Sequence, residues 1–130
     1  MNTVLVNQRN PRLSCSGREL REMFCVATRW LERNATVINA LNVFPVPDGD
    51  TGTNMLLTMR STMDEAARHL DTNASGVAQA MARGALMGAR GNSGVILSQI
   101  IKGFARGLAG RASFGPIEMA YALDQASIAA

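Results

Sequence analysis

The chain has 130 residues and a mass of 13.9 kDa, a length that suits one domain. Hydrophobic residues make up 47% and charged residues 18%, which excludes an unfolded polar chain or a glycine-proline fibre. Thirteen Lys and Arg oppose ten Asp and Glu, giving +3, but twelve of the thirteen are arginines scattered along the chain, a poor footprint for nucleic acid.

Residues 1–15 read as a flexible N-terminal arm that mixes Asn, Arg and Pro around Val4–Val6 and lacks the apolar centre of a signal peptide. Ser16 and Glu19 then form a capping box, and the helix it opens extends to about Ala40. Its apolar stripe is Leu20, Met23, Phe24, Ala27, Trp30, Leu31, Val37 and Ile38, with Trp30 and Phe24 expected in the core. Residues 42–53 form a shaped loop: Pro45 and Pro47 extend their predecessors, and Gly49 and Gly52 permit turns. A second helix is expected from Asn54 to about Leu70, capped near Thr53 or Asn54, with His69 facing solvent at its frayed end. A third starts near Ser75. After a second glycine-containing segment, 88–94, a buried fourth helix carries Val95, Ile96, Leu97, Ile100, Ile101, Phe104 and Leu108. Pro116 suits the first position of a last helix reaching Ala130. No run alternates with the period of a strand, so the fold class is all-α. No stretch reaches the roughly 20 apolar residues needed to cross a bilayer, so stable membrane insertion is not expected and the cytoplasm is the expected address.

Cys15 and Cys25, with His69 as the sole histidine, cannot complete a four-ligand zinc site and read as idle thiols. The chemistry concentrates in Pro47-Asp48-Gly49-Asp50-Thr51-Gly52-Thr53-Asn54. Two carboxylates one glycine apart in a turn converge on a hard cation, and the amides of Gly52, Thr53 and Asn54 at a helix start favour an anion. The hydroxyls of Thr51 and Thr53 add donors. In the second segment, Ser93 and Gly94 amides, the Ser93 hydroxyl and Arg90 suit phosphate oxygens, although no Walker motif occurs. In an antiparallel bundle the two segments would meet at one end.

The run Ile38 to Met55, INALNVFPVPDGDTGTNM, and the run Gly88 to Gln99, GARGNSGVILSQ, resemble the two signatures of the kinase domain of bacterial fatty-acid kinase, within the dihydroxyacetone kinase L-subunit family. The resemblance covers about Ser16 to Ala130. It implies an antiparallel helical bundle or barrel of which residues 16–130 would supply about five of eight helices. It further implies that ATP and magnesium bind at one end. Asp48 and Asp50 match metal-binding aspartates and carry the catalytic role. Thr51, Gly52, Thr53 and Asn54 fall in the phosphate-binding stretch, and Asn92, Ser93 and Gly94 in the second nucleotide loop. Where the dihydroxyacetone branch has a further aspartate, Asn42 is the preferred third metal ligand here.

The implied reaction is phosphoryl transfer from ATP to the carboxylate of a fatty acid held by a separate fatty-acid-binding protein, giving an acyl phosphate. Positioning and charge neutralisation carry such chemistry. The alternatives are a dihydroxyacetone kinase L-subunit-type phosphotransferase and a noncatalytic helical interaction module. Five helices of a larger barrel would leave apolar faces uncovered, so further C-terminal helices or self-association are expected to cover them.

Overall fold

The computed structural model describes residues 13–44, 46–69 and 72–130. Among them are five helices and one minimal strand pair: β1 (Cys15–Ser16), α1 (Gly17–Leu41), α2 (Thr51–Arg68), α3 (Ala74–Gly88), α4 (Gly91–Gly107), β2 (Ser113–Phe114) and α5 (Pro116–Ala129). The all-α expectation holds. Most of the arm expected over residues 1–15, together with Pro45 and the helix end at Leu70, lies outside the described residues. Cys15, the arm's last residue, is held: it pairs antiparallel with Phe114, and Ser16 with Ser113.

Helix α1 starts as its sequence dictates. Ser16 Oγ accepts the Glu19 amide at 3.3 Å, and Glu19 Oε1 accepts the Ser16 amide at 3.2 Å. Such a cap contributes about 1 kcal/mol. Helix α3 is capped by Asn73, whose Oδ1 accepts the Gly76 amide at 3.0 Å. At α5 the Glu118 carboxylate accepts the Gly115 amide at 2.8 Å, one residue before Pro116.

Each helix packs on the next, and α2 also packs on α4 and α1 on α3. Named contacts fix the directions. Asn39 meets Thr53 and Glu32 pairs with Arg60, so α1 and α2 are antiparallel. Ser61 lies against Gly84 and His69 against Gly76, so α2 and α3 are antiparallel too. Asn54 lies against Gly91 and Thr58 against Gly94, which makes α2 and α4 parallel, with their N-termini side by side. That last relation builds the site.

The core joins Leu20 of α1, Met59 of α2, Val77 and Met81 of α3, and Ile101 and Phe104 of α4 with the residue that ends it, Leu108, and with Phe114. Phe24 and Phe104 pack with ring centroids 5.8 Å apart and tilted, a favourable aromatic arrangement. Alanines and glycines let the backbones approach: a Cβ on Gly103 or Gly107 would collide with Ala126 or Ala122 of α5.

Four expectations are corrected. Helix α4 is not buried throughout: Ile101 and Phe104 face the core, but Val95 and Ile96 are about half exposed. Trp30 is not core but 67% exposed, because α1 turns Leu20, Thr28 and Ala35 inward and leaves Val26, Trp30, Val37 and Leu41 on a face that no described helix covers. His69 does not face solvent: it is half-buried, with Nε2 enclosed against Gly76, and its carbonyl accepts Arg21 at 2.9 Å. Helices α2 and α4 begin three to four residues earlier than their apolar patterns suggest, at Thr51 and Gly91, so the glycine-rich segments are largely helix first turns. The two edge helices, α1 and α5, form no packed pair, and α5 leaves Ile117, Tyr121, Leu123 and Ile128 exposed.

Candidate functional site

Because α2 and α4 run parallel, the segments before them converge. A hollow of about 370 Å³ at that end is lined by Asn42, Phe44, Val46, Asp48, Asp50, Thr51, Asn54, Gly91, Asn92 and Ser93. Residues more than forty positions apart in sequence thus form one cleft, as the two-segment reading anticipated.

The 42–50 connection is shaped by asparagines at the end of α1. Asn42 Oδ1 accepts the amides of Asp50 and Thr51 at 3.1 and 3.2 Å, and its Nδ2 donates to the Val46 carbonyl at 3.4 Å. Both lone pairs of Oδ1 are therefore engaged. Asn42 holds the aspartate turn in place and does not stand as the third metal ligand expected of it. Asn39, one turn earlier, accepts the Thr53 amide at 3.1 Å and donates to Thr53 Oγ1 at 2.9 Å. Gly49, between the two aspartates, has φ of +64°, a conformation that side-chain-bearing residues rarely adopt.

Asp48 and Asp50 are both exposed, and Asp50, although the cap residue of α2, makes no side-chain cap hydrogen bond. Their carboxylates are not spent within the protein, and they supply the hard oxygen donors that magnesium prefers. Among the described residues no group of three or more His, Cys, Asp or Glu is placed to hold a metal, so the protein's acidic donors here are these two.

The phosphate-binding expectations divide. The Thr53 amide is taken by Asn39, and the Asn54 amide donates to the Asp50 carbonyl at 2.8 Å, so neither is open to an anion. Gly52 is buried where α2 crosses α1, and a Cβ there would collide with the Ala35 backbone. Gly94 is likewise a crossing residue: it lies buried against Thr58, and its amide donates to the Arg90 carbonyl at 3.0 Å. What faces the hollow is Thr51 and Asn54 from α2 and Gly91, Asn92 and Ser93 from the first turn of α4. Helix α4 has no side-chain cap, so its orphan first-turn amides and the positive end of its dipole point toward the cleft.

Motif reading misses two residues that hold this geometry. Thr58 Oγ1 donates to the Asn54 carbonyl at 2.8 Å and accepts the Arg90 amide at 3.1 Å, tying α2 to the residue that precedes α4. Asn39 is the other. Their sequence signals are faint: an asparagine three residues before Asn42 at a helix end, and a threonine one helical turn beyond Asn54.

The model of the DAK2 domain matches residues 45–130, two-thirds of the sequence and both site segments. The chain belongs to the DAK2 domain family. It is 49% identical over 109 residues to Protein YloV of Bacillus subtilis (strain 168), a match spanning 83% of this chain and 20% of that protein. It is 46% identical over 93 residues to an uncharacterized protein of Staphylococcus aureus (strain USA300), over 72% of this chain and 17% of the relative. The chain thus spans about one-fifth of the length of the relatives it matches. The DAK2 family has a dihydroxyacetone kinase L-subunit-like, all-helical fold and is associated with kinases. No helix among the described residues is long and apolar enough to cross a membrane.

Proposed function

We propose that this DAK2 domain binds ATP with magnesium in the cleft between α2 and α4 and serves phosphoryl transfer in the cytoplasm. The reaction is transfer of the γ-phosphoryl group of ATP to the carboxylate of a fatty acid carried by a separate fatty-acid-binding protein, giving ADP and an acyl phosphate. One observation carries the reading: the parallel packing of α2 and α4 sets an uncapped helix N-terminus opposite two uncommitted carboxylates.

Asp48 and Asp50 would hold magnesium, which neutralises phosphate charge when bound. The amides of Gly91, Asn92 and Ser93, with the Ser93 hydroxyl, would hold phosphate oxygens, as helix N-termini do. The Thr51 hydroxyl and the Asn54 carboxamide close the opposite wall. Such a site works by orienting the phosphates and balancing their charge, so it needs no histidine or lysine base. The Val-Phe-Pro-Val-Pro approach to Asp48 supports the fatty-acid branch over a dihydroxyacetone kinase L-subunit-type enzyme.

A noncatalytic helical module is the second reading, favoured by the uncovered apolar flanks of α1 and α5. In either reading those flanks suit cover by further C-terminal helices or a second copy of the chain. Calorimetric titration with ATP separates the two readings. Saturable binding that requires magnesium is expected, whereas folded protein that binds no nucleotide in either condition would favour the noncatalytic module.

A further inference from the structure

The cleft is one-sided in charge. Among the described residues that line it, the charged side chains are Asp48 and Asp50, with no Lys, Arg or His. A nucleoside triphosphate carries more negative charge than one magnesium ion cancels, and the two aspartates add to the excess. Within the two segments that build the cleft, residues 42–54 and 88–99, Arg90 is the single cationic side chain. The next cations along α2 and α4, Arg60 and Lys102, stand more than two helical turns further on, and Arg60 is paired with Glu32 at 3.5 Å.

Arg90 has a fixed root and a free head. Its amide donates to Oγ1 of the fully buried Thr58 at 3.1 Å, and its carbonyl accepts the Gly94 amide at 3.0 Å. Both of its backbone polar groups are thereby spent on placing this one residue at the start of α4. The side chain is exposed and caps no helix amide, and among the described residues its guanidinium has no hydrogen-bond or ion-pair partner. Gly91 follows with φ of +64° and no room for a Cβ beside Asn54, so the chain turns into the helix directly after Arg90. Arg90 does not line the hollow, but it adjoins Gly91, which does, about 3.8 Å along the backbone. The stem of an arginine spans more than that.

On the phosphoryl-transfer reading above, on which this step rests, we infer that Arg90 is a further nucleotide-binding residue: its guanidinium folds over the first turn of α4 and takes two phosphate oxygens of magnesium-bound ATP. The planar fork pairs with phosphate through two parallel hydrogen bonds, which a lysine ammonium does not reproduce. Its positive charge offsets the excess that magnesium leaves, at a range well inside the distance over which salt screens. Because the root is already rigid, binding orders only the side chain.

Calorimetric titration with ATP and magnesium tests this, with thermal midpoints measured on the same samples without nucleotide. Arg90→Gln should lower the affinity at least about tenfold and leave the midpoint unchanged, since both backbone bonds remain. Arg90→Lys should recover only part of the loss. Arg106→Gln, at the far end of α4, removes the same charge and should leave the affinity unchanged. Wild-type protein that binds no magnesium-ATP would remove the phosphoryl-transfer reading and this inference with it. Full affinity in Arg90→Gln beside a binding wild type overturns the inference alone. So do equal losses in Arg90→Gln and Arg106→Gln, which would report the net charge of the protein, or a lowered midpoint in Arg90→Gln, which would place the side chain in the fold.

Discussion

The N-termini of α2 and α4 lie side by side, and neither helix is capped by its own preceding side chain, yet their amides have different fates. At α2 the neighbouring helix supplies the caps: Asn42 takes the Asp50 and Thr51 amides and Asn39 takes that of Thr53. At α4 the cap residue is Arg90, whose side chain takes none of the first-turn amides. The Thr51 and Thr53 amides of one terminus are therefore consumed in building the site, whereas no side chain takes the first-turn amides of the other. A glycine-rich helix start does not by itself indicate anion binding. What decides is whether another part of the fold has already satisfied its donors.

The largest effect on nucleotide binding should come from the carboxylates that both termini surround. Replacing Asp48 and Asp50 together by Asn should lower magnesium-dependent ATP affinity by at least about a hundredfold, equivalent to about 2.7 kcal/mol. Circular dichroism should be unchanged, since neither side chain caps a helix. Retained affinity would remove the metal role from this turn.

Gly52 tests the structural side. Gly52→Val drives a side chain into the Ala35 backbone, and chemical denaturation should show a loss of about 3 kcal/mol, because neither backbone has room to retreat. A smaller effect comes from the link between the termini. Thr58→Val keeps the shape but leaves the Arg90 amide without its acceptor, an expected cost of about 1–2 kcal/mol, with weakened nucleotide binding as α4 loosens from α2. Asn42→Ala should cost about 1 kcal/mol, since water can reach the exposed Asp50 amide it releases while that of Thr51 is part-buried, and the thermal midpoint should fall by a few degrees.

Far from the cleft, the smallest effect is at Cys15. Burial, and secondarily Glu19, push its thiol above the ordinary value, so the folded state favours the protonated form. Its contribution is present below the ordinary thiol range and is lost as pH rises toward the elevated value. Iodoacetamide labelling at mildly alkaline pH should accordingly be slower in folded than in urea-unfolded protein.

Much of the fold is legible because local signals agree with tertiary packing. The Ser16–Glu19 capping box, Pro116 at the first turn of α5 and the apolar spacing of α4 each name an element that the structure contains. The helix starts at Thr51 and Gly91 are hidden, because glycines and polar residues look like loop until a neighbouring helix packs on them. Trp30 misleads for a related reason: apolar spacing shows which face is greasy, not whether anything covers it. In the site, Asp48 and Asp50 are conspicuous because two carboxylates around a glycine have an obvious chemical use. The engagement of Asn42, Thr53 and Asn54 depends on contacts from α1 and on helix geometry, which a motif does not encode. Gly52 and Gly94 look like phosphate-loop glycines, and only the close crossing of helices shows why no side chain fits there.

The most direct measurement is amide NMR of the isotope-labelled protein titrated with ATP and magnesium. The largest shifts should fall on the Gly91, Asn92 and Ser93 amides, with the Asn39-bonded amide of Thr53 moving little, and all of them should vanish without magnesium. Shifts centred on Thr53 and Asn54, or scattered away from both termini, would contradict the assignment of α4 as the phosphate-holding end.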